Sequence, residues 1–181
     1  MGAAAGLRPC EIDVTLGGIV YTIPALPAAD WLIAIIGEPG AILPGLLPDE
    51  QQREVYDRLL SGDLDVAEIN SGWRDVLGAA AGRSWWSASR LCSSAADPEA
   101  WPTVHGRLLA EGIDLDKVSI GGFCNAVFFM ALSSAADDEE RSKLKFELEL
   151  PPPGSEVEAF EDRDAVANDF MAAVAQLQQL G

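Results

Sequence analysis

Between Pro48 and Leu150 apolar residues return at three- and four-residue steps, and most such stretches are closed by glycine or proline. That rhythm allows little besides amphipathic helices joined by short connections. Pro48 and Asp49 open a helix with acids in its first turn, an apolar seam at Val55, Leu59 and Leu60, and Gly62 as its stop. Asp63 or Asp65 is placed to cap the next, which carries Val66, Ile69, Trp73, Val76 and Leu77 on one face. Helices are predicted over Ser84 to Ala95 and Pro98 to Ala110. Another runs from near Ser119 through Phe123, Val127, Phe128 and Leu132, and a charged one from Asp137 to Leu150 carries Leu144, Phe146 and Leu148. Short joins favour an antiparallel helical bundle.

Upstream the rhythm changes. EIDVTL-GG-IVYTIP (Glu11 to Pro24) alternates β-branched and polar residues around Gly17-Gly18, the pattern of a β-hairpin with a tight turn. Ile12, Val14 and Leu16 fall on one face, and Ile19, Tyr21 and Ile23 on its match. A lone hairpin is marginal in water, so this one must dock. A short helix follows over Ala28 to Ile36, stopped by Gly37 and Pro39. AILPGLLPD then reads as an apolar loop in which Pro44, Gly45 and Pro48 break any regular element, and which is available for self-association. Pro151-Pro152-Pro153-Gly154 cannot continue a helix and marks a boundary. The expected organisation is a flexible N-terminus (1–10), a hairpin plus helical core (11–150), a Pro-rich linker (151–154) and an acidic amphipathic C-terminal helix (155–181). The last carries Phe160, Val166, Phe170, Val174 and Leu177 on one side, a seam for packing, self-association or a partner. The fold class is mainly α.

The 181 residues hold 12 basic and 29 acidic side chains, a formal charge of −17. Such a chain repels phosphate backbones and anionic lipid, which argues against nucleic acid and membrane surfaces as partners and leaves a basic protein partner or plain solubility. Residues 137–181 alone hold 12 acids against 4 bases. With 49% apolar residues the chain has the means to bury a core. Cys10, Cys92 and Cys124 are far apart, with no CxxC or Cys/His spacing, so no zinc site or disulfide framework is expected. Cys92 and Cys124 read as buried small hydrophobes, and reduced thiols fit a cytoplasmic setting. The start lacks a charged region leading into an apolar one, so no signal peptide is expected. The longest apolar run, Ala126 to Leu132, is far short of a membrane span.

Catalytic motifs are lacking. A single histidine, His105, with no GxSxG elbow gives no triad, and it reads as a residue that caps or hydrogen-bonds a helix end. The pairs Gly17-Gly18 and Gly121-Gly122 lack the spacing of a nucleotide loop. Asp114-Leu115-Asp116 and Asp137 to Glu140 lack the alternate ligands and central glycine of a calcium loop. No catalytic, cofactor-binding or metal residues are assigned.

The most distinctive local stretch is GRSWWSASRL (Gly82 to Leu91) followed by WPTVHGRLLAEGID (Trp101 to Asp114). Trp85, Trp86, Arg90 and Trp101 form the candidate protein-interaction set. In so acidic a chain base stacking is disfavoured. The expectation is one indole in the core and the other under Arg83 or Arg90 as a cation–π contact.

Taken in order, GGIVYTIPALPAADWL, GRSWWSASRL, WPTVHGRLLAEGID, a charged helix ending ELELPPPG and an acidic C-terminal helix resemble the tail assembly chaperones of long-tailed phages infecting actinobacteria. The resemblance spans roughly residues 15 to 154 as an ordered series of motifs. It implies a non-enzymatic protein of the infected host's cytoplasm. Such a protein binds the tape measure protein, holds it soluble before tail-tube polymerisation, and yields to tail-tube subunits. No catalytic positions carry over. The second reading is a structural virion protein, either a head–tail connector or a minor tail component.

Overall fold

The computed structural model describes residues 8–36, 42–153 and 155. Two strands, β1 (Ile12–Leu16) and β2 (Ile19–Ile23), pair antiparallel with Val14 opposite Tyr21 and Leu16 opposite Ile19. Eight helical segments follow among the described residues: α1 (Ala28–Ile36), α2 (Ile42–Gly45), α3 (Asp49–Ser61), α4 (Val66–Ala81), α5 (Trp85–Ala96), α6 (Trp101–Ala110), α7 (Ile120–Ser134) and α8 (Asp138–Glu149). The protein is mainly helical with an N-terminal hairpin. The chain divides into two units, residues 1–149 and 150–181. In the second, Ser155 donates its amide and hydroxyl to the Pro152 carbonyl. The seam of Phe160, Val166, Phe170, Val174 and Leu177 lies outside the described residues.

Alternation in the hairpin does what the period of two requires: Val14, Leu16, Tyr21 and Ile23 are buried. This face packs on α4, where Gly72 lacks the Cβ that would meet Leu16 Cδ2 at 2.8 Å. Ile19, at the turn, stays exposed. The docking the hairpin needs is completed by α3. Arg58 Nη1 donates to Leu16 O (2.9 Å) and Tyr21 Oη (3.0 Å), and Nη2 donates to Gly17 O (3.0 Å). Tyr21 Oη donates in turn to Glu54 (3.2 Å). The bond with Tyr21 raises the Arg58 pKa further, so the guanidinium is a permanent charge here.

The ends of α3 and α4 that are capped follow the capping rules. Asp65, rather than Asp63, caps α4: its carboxylate accepts from Ala67 N (2.9 Å), and Glu68 reaches back to Asp65 N (3.3 Å). Gly62 and Gly82 close α3 and α4 in the left-handed region, at φ 81° and 64°. Helix α6 begins at Trp101 instead of Pro98, because Asp97 Oδ1 accepts from Glu99 N and Ala100 N and holds a turn first.

Three expectations fail locally. The stretch after Gly40 is not wholly irregular: α2 is a helical turn, with Leu46 N bonded to Leu43 O and Leu47 N to Pro44 O. Pro44 is tolerated because the first turn has no amide to lose. Leu43, Leu46 and Leu47 are buried in the core. Leu60 and Val66, expected on apolar seams, are exposed; Leu60 stands about 100° around the helix from the half-buried Leu59.

Helix α5 is central, packing against α1, α4, α6, α7 and α8. Its small residues Ser87, Ala88, Cys92 and Ala95 are buried and allow that crowding. Gly121 does the same where α7 meets the end of α4: an added Cβ would lie 3.1 Å from both Ala80 O and Ala81 O.

Candidate functional site

The tryptophan-rich stretch is spent mostly on holding helices together. Trp85 and Trp86 meet edge to face at 5.8 Å, both half-buried. Trp86 Nε1 donates to Glu149 O (3.1 Å) and Arg90 Nη1 to Glu147 O (2.7 Å), so α5 supplies donors to the last turn of α8. The cation over Trp85 is Arg74 of α4, at 4.8 Å, rather than Arg83 or Arg90. Arg90 is drawn to carbonyls that no helical amide satisfies, and Arg83 lies 5.1 Å over Phe128 while Nη2 donates to Asn125 (2.7 Å). Arg83 Nε and Trp85 Nε1 are buried without hydrogen-bond partners, a condition that costs about 1–3 kcal/mol for a buried donor.

Trp101 is different. It stacks flat on His105, with centroids 5.2 Å apart and planes 5° apart. The histidine is therefore a stacking partner within α6, not a residue at a helix end. The indole also borders an apolar groove of about 300 Å³, lined by Ala29, Leu32, Ile33 and Ile36 of α1, Ala96 of α5, Trp101 of α6, and Leu115. The α1 wall is set by its own first turn: Ala28 N donates to Val118 O (2.8 Å) and Ala29 N to Leu115 O (3.2 Å). These bonds tie α1 to the connection between α6 and α7, and they use helix-start amides that have no partner within the helix. Ile33 and Ile36 remain 72% and 63% exposed, so the groove is lined by large aliphatics facing solvent.

The chain next to the groove's lining residues is rich in acids. Asp30, Asp97, Glu99, Asp114 and Asp116 lie within two positions of lining residues, against one described base, Lys117. Lys117 is already paired with Asp114 at 2.5 Å. That pair, with the Asp116 amide, holds the Asp114 carboxyl below its ordinary range, and Asp114 raises Lys117 in return.

Elsewhere, Cys92 of α5 and Cys124 of α7 meet in the core with sulfurs 3.7 Å apart. Their separation in sequence gave no sign of this. The shared hydrogen bond, then burial, pushes the Cys92 thiol up, while the same bond favours charge on Cys124. Among the described residues, no three His, Cys, Asp or Glu side chains converge as metal ligands, and no helix is long and apolar enough to cross a membrane.

Of the sequence-selected residues, the structure brings Trp86 and Arg90 to the α5–α8 contact, sets Trp85 against Trp86 and Arg74, and places Trp101 at the groove. Sequence reasoning missed Ile33 and Ile36. The available signal was the composition of α1, AADWLIAII, apolar nearly all round yet only nine residues long. Comparison with protein-family models, curated proteins and solved structures finds no match to the chain.

Proposed function

We propose that the chain is a non-enzymatic tail assembly chaperone of a long-tailed phage, which holds the tape measure protein soluble in the host cytoplasm until the tail tube polymerises. The observation that supports this reading is the open groove at Trp101, Ile33 and Ile36. A holder must present apolar surface to its client without burying it in its own core, and large exposed aliphatics beside an aromatic ring fit that need. A net charge of −17 keeps such a surface from driving aggregation. We read the helical packing as an antiparallel bundle, with the acidic segment after the prolines as a second apolar seam for self-association or for the tail-tube protein.

Co-expression with the tape measure protein tests the function. The client should stay in the supernatant with this chain and pellet without it. Equal pelleting in both cases refutes the proposal. A structural virion protein is the second reading, favoured by Ile19 and Val20, exposed at the hairpin tip where neighbouring subunits of a ring could pack. Finding the chain stoichiometrically in purified particles would establish it over the chaperone.

A further inference from the structure

We infer that the groove between α1, α5 and α6 takes an amphipathic helix whose apolar stripe is flanked by lysine and arginine. This rests on the chaperone reading and specifies its binding face and the chemistry of what binds there.

Size limits the occupant first. About 300 Å³ of open apolar space accepts a few aliphatic side chains, not a folded domain. The walls favour a helix. Ile33 and Ile36 are three apart on one face of α1, and Trp101 of α6 lines the same groove, so its walls suit a stripe at three- and four-residue spacing. Charge then decides the flanks. Asp30 is in the first turn of α1, Asp97 and Glu99 lie in the α5–α6 turn, and Asp114 and Asp116 adjoin Leu115 in sequence. The one described base among them is neutralised by Asp114. An acidic helix, including a second copy of so acidic a chain, would set like charges against that rim. A basic one meets charge of the opposite sign.

The experiment uses the full chain and a fluorescein-labelled peptide about 18 residues long, with leucines at helical spacing and lysines flanking them. Its twin carries glutamate at every lysine. Fluorescence anisotropy should show the basic peptide binding at least about tenfold more tightly than the twin, with the advantage shrinking as salt rises. Ile33→Ser should weaken basic-peptide binding about tenfold. Because Ile33 is 72% exposed, this change leaves the fold intact, which far-UV circular dichroism verifies. Leu60→Ser, at a position 86% exposed on α3, should leave binding unchanged.

Equal binding of the twins, binding of neither, or indifference to Ile33→Ser would each overturn the inference. So would a dimer in sedimentation that Ile33→Ser returns to monomer, since a second copy would then be the occupant. Failure here is separable from failure of the chaperone reading. If the wild type and Ile33→Ser chains keep the tape measure protein equally soluble, the chaperone stands and this groove is not its client site.

Discussion

Replacing Gly72 by alanine sets two effects of known sign against each other at the joint between hairpin and helix. A helix interior favours alanine over glycine by about 0.8–1.0 kcal/mol. The new methyl would stand 2.8 Å from Leu16 Cδ2, 3.1 Å from Val14 Cγ2 and 3.3 Å from Leu43 Cδ2. Relaxed carbon contacts lie at about 3.5–4.0 Å, so all three neighbours must yield. Leu16 is fully buried and Val14 is stiff at χ1, which leaves little room for the adjustment. Overpacking of this kind costs about 1–3 kcal/mol. Taking the middle of that range, Gly72→Ala should destabilise the protein by about 1 kcal/mol despite the better helix former. Leu16→Val removes the closest methyl group and costs about 1 kcal/mol alone. In the double variant the clash is relieved, so its loss should fall short of the sum by about 1 kcal/mol. Urea unfolding followed by tryptophan fluorescence reports directly, because Trp73 adjoins Gly72 and stacks on Trp31 at 6.1 Å. A Gly72→Ala protein stabilised by the full helix propensity, with no coupling to Leu16→Val, would refute the close approach of β1 and α4.

Arg58→Met should speed amide exchange in β1 and β2 while leaving α5 protected, as the side chain bridges α3 to the carbonyls of Leu16 and Gly17; uniform change across the chain would contradict that local role. Trp86→Phe keeps the ring but removes the donor to Glu149 O, and with Arg90→Ala it should fray the end of α8, read as lost helical signal and faster exchange after Glu147. Alkylation with iodoacetamide should label Cys10 alone in the folded protein and all three cysteines in denaturant, counted by mass. Because the folded Cys92 thiol is raised above its ordinary 9.0, the folded state holds this proton where the unfolded chain releases it. The contribution is therefore complete below about pH 8.5 and declines as pH rises past it. Cys92→Ala alone leaves Cys124 buried without the bond that lowers it, so only the double variant Cys92→Ala/Cys124→Ala should flatten that alkaline decline in urea titrations at a series of pH values; an unchanged slope in the double variant would count against it.

How far the sequence carries depends on the range of the interaction. Segments governed by local rules read well: α3 begins and ends where proline, acids and glycine place it, and Gly17-Gly18 sets the hairpin register. Features decided by distant partners did not. Nothing near Arg58 announces that it anchors Gly17, forty-one residues away. Arg83 and Arg90 are nearer in sequence to the tryptophans than Arg74 is, yet helix packing delivers Arg74 to Trp85. Leu43, Leu46 and Leu47 looked like an exposed apolar loop until α2 folded them under α3 and α4. The groove was hidden for the same reason, since its walls come from α1, α5, α6 and a connection near Leu115.

The charge pattern of α8 gives Trp86 and Arg90 of the tryptophan-rich stretch a structural task. Asp138, Glu139 and Glu140 suit the positive end of that helix, but Glu147 and Glu149 crowd its negative end, with no base in the last turn. Each such misplaced charge costs about 0.3–1 kcal/mol at an exposed position. The carbonyls there also lack helical amides. Arg90 brings a permanent cation to Glu147 O, and Trp86 brings an indole N–H to Glu149 O, one helical turn apart on α5. Four residues separate those two donors, the spacing that puts both on one face. The W-x-x-x-R pattern is thus a clasp for an otherwise poorly terminated helix, and Trp85 is covered by Arg74 in the same layer. Trp101 belongs to another helix, takes no part in that clasp, and keeps its indole at the groove.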